Sequence, residues 1–280
     1  MKVFTTKAEL SNSLEQVKIN KSVVGFVPTM GALHEGHISL VNKAGKESDI
    51  VVVSIFVNPT QFNNKEDLKR YPRDLDKDLK LLEKTSCNIV FAPSVEEMYP
   101  EEDTRTFNFG SLETVMEGKF RPGHFNGVAQ VVSKLFEAVK PDKAFFGLKD
   151  FQQLAIIRKM TEMLNFDVEI IPCPIIREPS GLAMSSRNML LSPEERDAAS
   201  LISATLFAAV KKSRNFSVDG LKKWVLETIN ANSFLETEYF DIVDEINLQT
   251  VKSWDEKINK IGCIAVHCGK VRLIDNVNFK

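Results

Sequence analysis

Apolar and polar residues alternate along this chain with two distinct periods. Short apolar runs rich in β-branched residues predict strands at residues 23–27, 50–57, 88–92, 144–146 and 168–171. Between them, apolar positions recur at helical spacing and predict helices at residues 38–48, 75–84, 128–139 and 151–164. Because strands and helices take turns, we predict an α/β domain with a parallel sheet for the first two thirds of the chain.

The pattern changes after about residue 175. Ser192 and Pro193, followed by two acidic residues, are typical of a helix start and predict a helix that runs to about Lys212. A second helix is predicted at residues 218–229. Strands follow at residues 239–243, 263–266 and 271–274, and Gly269 with Lys270 predicts a hairpin turn between the last two. We therefore predict two domains, residues 1–175 and a smaller α+β domain of residues 176–280.

The composition is that of an ordinary globular protein. The 280 residues are 43% hydrophobic with a net charge of −2, so no global basic field favours nucleic acid or an acidic membrane as partner. No apolar stretch reaches the roughly 18 residues that span a bilayer, and residues 1–7 show no signal-peptide pattern. Four scattered cysteines without a C-x-x-C pair predict reduced thiols in a cytoplasmic protein, with Cys263 and Cys268 buried in a strand.

Two histidines, His34 and His37, lie where the first predicted strand is followed by a helix. A helix N-terminus presents unpaired N–H groups and a partial positive charge that attract phosphate, and two imidazoles there would stabilise developing charge. Gly31 and Gly36 would let a ligand approach the backbone closely. Two other interpretations stay open. One is a metal pair, although the spacing differs from the zinc hydrolase pattern His-Glu-x-x-His, and the other is a surface segment without function.

Further polar residues follow other predicted strands. Ligands of parallel sheets bind beyond the carboxyl ends of the strands, so we expect these residues near the histidines. Asn58 and Gln61 suit a substrate with hydroxyl and carboxylate groups, or they belong to an ordinary Asn-Pro turn. Gly147 and Lys149 place a glycine and a cation between strand and helix. Asp150 beside them is either a site residue or a helix N-cap.

Two more segments combine cations with small residues. Ser185, Ser186 and Arg187 would hold a triphosphate, or they are part of a serine-rich linker. Residues 118–127 contain glycines, two cations and a histidine, and form either a lid or a surface loop. The Walker A, Gly-x-Ser-x-Gly and Gly-x-Gly-x-x-Gly patterns are absent, which argues against the classes of protein that use them.

Six stretches together resemble the pantoate–β-alanine ligase (pantothenate synthetase) family of the HxGH nucleotidyltransferase superfamily. The first is Pro-Thr-Met-Gly-Ala-Leu-His-Glu-Gly-His, and the six lie in the expected order at residues 28–37, 56–62, 71–74, 121–125, 149–153 and 184–188. The resemblance implies a Rossmann-like N-terminal domain and a smaller C-terminal lid domain that closes over ATP. It implies a ligase that condenses pantoate with β-alanine through a pantoyl adenylate, releasing pyrophosphate and then AMP. Magnesium would accompany the ATP, and the protein would be a homodimer.

The resemblance also implies roles for individual residues. The catalytic set is His37, His34, Lys149 and Arg187. In this set His37 would stabilise charge and donate a proton. Pantoate and β-alanine would be bound by Gln61, Gln153 and Asn58. ATP would be bound by Met30, Gly31, Ala32, Leu33, His34, Glu35, Gly36, His37, Gly147, Leu148, Lys149, Asp150, Ile176, Met184, Ser185, Ser186 and Arg187.

The chain departs from the family pattern at two places. Leu148 stands where the family often has a polar residue. Because the implied contact there is made by the backbone, we expect little loss. The acidic cluster Asp74, Asp76 and Asp78 is interrupted by Lys77, which leaves the magnesium ligands open, with Asp78 as a weak candidate.

Two other functions stay open at this point. A nucleotidyltransferase acting on a phosphorylated acceptor would need a more basic pocket than Asn58, Gln61 and Gln153 provide. A non-catalytic nucleotide sensor on the same fold would bind ATP without turnover.

Overall fold

The computed structural model of the chain describes residues 1–62 and 65–279, which divide into two compact units. The first unit comprises Met1–Phe109, Arg121–Leu148 and Gln153–Pro174. The second unit comprises Gly110–Phe120, Lys149–Gln152 and Ile175–Lys280. Gly110–Phe120 and Lys149–Gln152 thus belong to the second unit, whereas a single boundary after residue 175 would assign them to the first.

The first unit is built on a parallel sheet of six strands. These are β1 (Lys2–Phe4), β2 (Val24–Thr29), β3 (Ile50–Ile55), β4 (Ile89–Phe91), β5 (Lys143–Gly147) and β6 (Glu169–Cys173). Their order is β1-β4-β3-β2-β5-β6, and all neighbours pair in parallel, which confirms the predicted fold class. The strand order reverses between β2 and β5, and ligands of such sheets bind beyond the carboxyl ends of the strands at this position.

In the part of the chain that the structure describes, eight α-helices lie before residue 175, of which α6 belongs to the second unit. They are α1 (Lys7–Ile19), α2 (Glu35–Glu47), α3 (Lys65–Arg70), α4 (Leu75–Leu82), α5 (Val95–Met98), α6 (Met116–Phe120), α7 (His124–Val139) and α8 (Phe151–Met163). All four predicted helices are confirmed. Helix α1 was not predicted, although Thr6 and Glu9 form a capping box at its start, because only Leu10 and Leu14 of its apolar side are buried.

The second unit contains two long helices and an antiparallel sheet. Its elements after residue 175 are α9 (Pro193–Lys212), α10 (Val218–Asn230), β7 (Leu235–Asp244), β8 (Lys260–Cys268) and β9 (Val271–Phe279). The strands lie in the order β7-β8-β9, and Gly269 turns the β8–β9 hairpin with a φ of 56°. Ser192 and Glu195 form the capping box of α9. Both predicted helices, the three strands and the hairpin are confirmed.

Each unit has its own apolar core. The first is centred on buried side chains such as Val27, Val53 and Phe145, and the second on others such as Leu221 and Ile264. All four cysteines are free and buried, as predicted for the two in strand β8. Within the described ranges, no helix combines the length and the apolar character needed to cross a membrane.

Candidate active site

The loop between β2 and α2 carries the paired histidines. Gly31 and Ala32 have φ angles of 81° and 50°, which turn the chain sharply after the strand. His34 is the N-cap of α2, and its Nδ1 accepts a hydrogen bond from the Gly36 N–H at 3.1 Å. The Nδ1 of His37 accepts the N–H of His34 at 3.4 Å. The two imidazoles therefore cap the helix in the reciprocal manner of a capping box.

These hydrogen bonds assign the tautomer of both rings. Each Nδ1 accepts an N–H, so the hydrogen of each neutral imidazole lies on Nε2. The ring centroids of His34 and His37 are 4.1 Å apart, with the ring planes tilted by 34°. Two Nε2–H donors at a helix N-terminus suit the oxygens of a phosphate. The capping role itself was not predicted, because imidazole is not among the usual N-cap side chains.

A buried carboxylate in α4 holds the same loop. Asp78 is 2% exposed, and its two oxygens accept the N–H groups of Ala32 at 2.9 Å and Leu33 at 2.7 Å. Burial raises the pKa of Asp78, and the hydrogen bonds from Leu33 and Ala32 oppose that rise. Since both oxygens already bind backbone donors, the geometry points to support of the loop rather than to metal binding.

The neighbouring acids do not add a metal site to Asp78. Asp74 accepts the N–H of Lys77 at 3.0 Å and so caps α4, and Asp76 is exposed. Nowhere in residues 1–62 and 65–279 do three or more His, Cys, Asp or Glu side chains group so as to hold a metal ion.

The end of strand β3 positions Gln61 through Asn58. Asn58 is 1% exposed, and its Oδ1 accepts the hydroxyl of Tyr99 at 2.9 Å. Its Nδ2 donates to the Gln61 Oε1 at 3.3 Å and to the Gly127 carbonyl at 3.0 Å. The Nε2 of Gln61 in turn donates to the Met30 Sδ at 2.9 Å. Asn58 is therefore a buried support that orients Gln61, and not a solvent-facing turn residue.

Part of the predicted lid or surface segment at residues 118–127 packs against Gln61. The Nδ1 of His124, which is 5% exposed, lies 2.9 Å from the Gln61 carbonyl oxygen. At Gly127 an added Cβ would lie 2.6 Å from the Thr60 carbonyl oxygen, so only glycine permits this approach of α7. This half of the segment is thus built into the first unit, and the lid role stays a prediction.

Strand β5 ends in the turn that carries Lys149. Gly147 is its last residue, and Leu148–Asp150 form a 3-10 turn that leads into α8. The Lys149 Nζ lies 3.2 Å from the Asp150 Oδ1, so the acid is an ion partner of the lysine. Gln153 is half-buried in the first turn of α8.

Gln152 is a structural residue that sequence reasoning missed. It is 4% exposed, and its Nε2 donates to the carbonyls of Leu112 at 2.7 Å and Val115 at 2.9 Å. Its Oε1 accepts the N–H of Glu117 at 2.9 Å. Gln152 therefore fastens the stretch Gly110–Phe120 within the second unit. Its place beside Gln153 gave no sign of this role, because the partners are about 40 residues distant in sequence.

The segment that follows residue 175 folds back on itself before the Ser-Ser-Arg sequence. The Met184 N–H donates to the Ile176 carbonyl at 2.9 Å. Ser185 then caps the 3-10 turn Ser186–Leu190 by accepting the Arg187 N–H at 3.3 Å. Ser186 is 6% exposed. The predicted contact of Ile176 with adenine stays a prediction.

The predicted site residues are divided between the two units. Those of the first unit are residues 30–37, Asn58, Gln61, Gly147, Leu148 and Gln153. Those of the second unit are Lys149, Asp150, Ile176 and residues 184–187. The first set includes the loop of paired histidines and the Gln61–Met30 contact, so part of it is brought together directly. That both sets contact one triphosphate stays a prediction.

Comparison with known proteins adds independent information. The family model described as pantoate-beta-alanine ligase matches residues 2–278. A pantothenate synthetase of Bacteroides fragilis is 56% identical over 280 residues, covering 100% of this chain and 99% of the relative. A pantothenate synthetase of Porphyromonas gingivalis is 52% identical and is covered fully in both directions.

Solved structures agree with these relatives. The crystal structure of a pantothenate synthetase from Thermus thermophilus is 43% identical, with a TM-score of 0.93 over 100% of this chain and 99% of that one. A pantoate-beta-alanine ligase of Francisella tularensis, crystallised with beta-gamma ATP and beta-alanine, is 35% identical with a TM-score of 0.84. That match covers 99% of this chain and 97% of the other.

Proposed function

The chain belongs to the pantoate–β-alanine ligase family, and from this premise we propose that it condenses pantoate with β-alanine to pantothenate at the expense of ATP. In the first step a pantoate carboxylate oxygen attacks the α-phosphorus of ATP, which forms pantoyl adenylate and expels pyrophosphate. In the second step the amine of β-alanine attacks the acyl carbon, forming the amide and expelling AMP. The likeness over 99% of this chain to a ligase crystallised with beta-gamma ATP and beta-alanine supports this reaction.

The paired-imidazole cap of α2 is the observation that carries the proposal. Transfer of the adenylyl group needs alignment and stabilisation of charge on the phosphates more than it needs a protein nucleophile. The Nε2–H groups of His34 and His37, together with the N-terminus of α2, supply preorganised donors for that purpose. We assign His37 to charge stabilisation, with proton donation as a further role.

The remaining nucleotide contacts are assigned by residue type. Lys149 and Arg187 are the cations proposed for the phosphates, with the hydroxyls of Ser185 and Ser186 as hydrogen-bond donors. The proposed backbone and neighbouring contacts to the nucleotide come from Met30, Gly31, Ala32, Leu33, Glu35, Gly36, Gly147, Leu148, Asp150, Ile176 and Met184.

We assign pantoate binding to Gln61 and Gln153, with Gln61 also near β-alanine. The amide of Gln61 is fixed by Asn58 on one side and by the Met30 sulfur on the other. A fixed neutral amide orients a hydroxy acid without neutralising its carboxylate, which must remain a nucleophile. Neutral amides offer no positive charge to an acceptor phosphate, so these residues do not favour transfer of a nucleotide to a phosphorylated acceptor.

The proposal also covers how Mg²⁺ is bound, whether the protein is a homodimer and in which compartment it lies. In the described part of the chain no acidic cluster is built for a metal, so we assign Mg²⁺ to the triphosphate and water, with Asp78 a weak ligand candidate at most. Family membership supports a homodimer, which sedimentation analysis tests. Four free, buried thiols suit a reducing compartment and support a cytoplasmic location.

One assay tests the reaction directly. Purified protein given ATP, pantoate and β-alanine should release AMP and pyrophosphate in equal amounts, and each release should require pantoate. Omitting β-alanine should leave a pantoate-dependent exchange of labelled pyrophosphate into ATP. Pyrophosphate release without pantoate would refute the ligase assignment.

A second assay separates an enzyme from a nucleotide sensor. Replacement of His37 by alanine should lower the rate of adenylate formation by an amount worth about 3–4 kcal/mol, as expected for loss of one preorganised donor to a developing charge. ATP binding should change much less. Normal adenylate formation by the variant would refute the role of His37.

A further inference from the structure

Strand β9 carries two adjacent buried polar residues outside the proposed catalytic set. Asp275 is 4% exposed and Asn276 is 8% exposed. Neighbouring residues of a strand point to opposite faces of the sheet, so their side chains reach different surroundings. Burial of polar groups is unfavourable unless they are hydrogen-bonded, so the partners of these two residues indicate what the pair does.

Asp275 binds Arg177, at the start of the segment of residues 177–185 that leads to Ser185. The Arg177 guanidinium donates to its two oxygens at 2.6 and 2.9 Å, in the bidentate geometry of a strong ion pair. Arg177 also donates to the Gly181 carbonyl at 3.1 Å and pairs with Ala183 in an antiparallel bridge. The carboxylate therefore fixes the Arg177–Ala183 bridge, which ends two residues before Ser185.

Asn276 holds the turn that carries Lys149. Its Nδ2 donates to the Lys149 carbonyl at 3.0 Å, and its own N–H is satisfied by Asp275 at 2.8 Å. The hydrogen bond fixes the peptide plane that follows Lys149 and so restrains the backbone from which its side chain leaves. All of these residues belong to the second unit.

We propose that Asp275 and Asn276 are positioning residues for the nucleotide phosphates. Adjacent residues of one strand anchor both phosphate-binding segments of the second unit, the Lys149 turn and the Ser185–Arg187 segment. The pair acts on the phosphates through Lys149 on one side and through Arg177 on the other. The inference rests on the proposed function, because that function assigns these two segments to the triphosphate.

The first test replaces Asn276 by alanine. Because a cation displaced by an ångström loses much of its effect, the KM for ATP should rise by about tenfold and kcat should fall, while the KM for pantoate stays within about a factor of two. The exposed Asn278, two residues further along β9, gives the matched control Asn278→Ala, which should leave all three constants unchanged. Equal rises in both KM values would overturn the inference, because they would indicate general damage.

A double-mutant cycle separates positioning from a merely structural role. If Asn276 acts through Lys149, then adding Asn276→Ala to Lys149→Ala should change the KM for ATP by less than about a factor of two. A full additional rise of about tenfold in that background would overturn the proposed route through Lys149.

The Asp275 arm is tested through Arg177→Lys, because removal of a buried partner carboxylate risks unfolding. Lysine keeps the positive charge and loses the bidentate geometry. The KM for ATP should rise by about fivefold in otherwise normal protein, and by less than about a factor of two when Arg187→Ala is already present. A KM for ATP unchanged in the single variant would refute this arm.

Direct binding separates this inference from the proposed reaction. Calorimetry with α,β-methylene-ATP needs no turnover, and Asn276→Ala should weaken binding by about tenfold. If the wild-type protein makes no pantothenate but the variant loses affinity, the reaction is refuted and the positioning role stands. If the wild-type protein is active and the variant binds the analogue equally well, the positioning role is refuted.

Discussion

At the scale of single residues, Asp78 determines the shape of the loop that leads to the paired histidines. Asparagine has the same shape, but its Nδ2 would face one of the two N–H donors that the carboxylate accepts. Asp78→Asn should therefore lower the free energy of unfolding by roughly 1–3 kcal/mol, the penalty for an unsatisfied buried donor. The rate of adenylate formation should fall at saturating Mg²⁺, since the loop positions His34. Chemical denaturation and pre-steady-state kinetics measure the two effects.

The same variant distinguishes loop support from metal binding. The exposed Asp76, in the same helix, gives the control Asp76→Asn, which should behave as wild type. The Mg²⁺ concentration for half-maximal rate should be the same in all three proteins. A shift of that concentration by about tenfold in Asp78→Asn, with kcat restored by excess Mg²⁺, would identify Asp78 as a ligand after all.

The role of a residue could be predicted from sequence where its partners lie close to it in the chain. The spacing of His34 and His37 at a predicted helix start was enough to suggest a phosphate site. The role of Asp78 could not be predicted in this way, because its hydrogen-bond partners lie 45 and 46 residues earlier in the chain. From sequence alone, a buried acid in an amphipathic helix cannot be distinguished from a surface acid, because its hydrogen-bond partners are set by the fold.

At the scale of elements, the approach of α7 to the Pro59–Gln61 turn decides where Gln61 lies. Gly127→Ala would place a Cβ 2.6 Å from the Thr60 carbonyl oxygen and 2.8 Å from the Gln61 Cα. The gain in helix propensity of about 1 kcal/mol is outweighed by a packing strain of roughly 1–3 kcal/mol, since the atoms met are backbone atoms, so we expect a net loss of stability of up to about 2 kcal/mol. The displaced turn should also raise the KM for pantoate by about tenfold.

Steady-state kinetics with a second glycine variant gives the comparison for Gly127→Ala. At Gly220 in α10 the nearest atom to an added Cβ is the hydroxyl of the N-cap Ser217, 3.0 Å away, and no backbone atom lies within 4 Å among the nearest contacts. Gly220→Ala should leave the KM for pantoate unchanged and should not destabilise the protein. An unchanged KM for pantoate in Gly127→Ala as well would show that the turn does not control substrate binding.

An ion pair between the loop before α7 and that helix contributes to the stability of the protein and is lost in acid. Asp103 lies 2.6 Å from Arg105 and 3.5 Å from Lys134 of α7, and the hydrogen bond from Arg105 lowers the pKa of its carboxyl to about 2. Because the folded pKa lies below the unfolded value, the contribution is present above about pH 4 and is lost as the pH falls towards 2. Arg105 is partly exposed, so we expect roughly 1–2 kcal/mol at neutral pH.

Urea denaturation of Asp103→Asn across pH tests this contribution. The variant should be less stable than wild type at pH 7, and the difference should shrink steadily between about pH 4 and pH 2.5. Glu137→Gln, at the more exposed partner of Arg105, should show little effect at any pH. A difference for Asp103→Asn that does not vary with pH would contradict the ionic origin.

Elements were predictable where a single period extends over many residues. The β-branched run of β3 and the apolar face of α7 gave clear signals, and both are buried as expected. Strand β1 has only two apolar residues after an exposed lysine, whereas the equally short β4 is apolar throughout, and the four residues of α5 are too few for a period to show. The exact start of α2 depends on the histidine caps, which no propensity scale anticipates.

At the scale of the whole molecule, the second unit is assembled from three separate stretches of sequence. The stretch Gly110–Phe120 joins it through Glu117, whose carboxylate accepts two bonds from Arg272 of β9 at 2.7 and 2.8 Å. The Tyr239 hydroxyl also donates to it at 2.8 Å. Periodicity reports on contiguous segments, so a unit that depends on a pair 155 residues apart could not be predicted from the sequence.

Glu117 is therefore expected to stabilise the second unit as a whole. In Glu117→Gln the Arg272 guanidinium loses its buried carboxylate partner and keeps the half-buried Glu238 at 2.6 Å. Removal of one partner of a buried ion pair destabilises strongly, and with Glu238 retained we expect a loss of about 2–3 kcal/mol. Calorimetry should show a lower unfolding temperature, and hydrogen exchange should accelerate in β9 but not in β3, because β3 belongs to the first unit and its separate core.

The exposed Glu236 on β7 provides the control Glu236→Gln, which removes a surface charge and should shift the unfolding temperature little. Equal acceleration of exchange in β3 and β9 would show that the two units unfold as one cooperative body, and an unchanged unfolding temperature would show that Glu117 contributes nothing to the assembly of its unit.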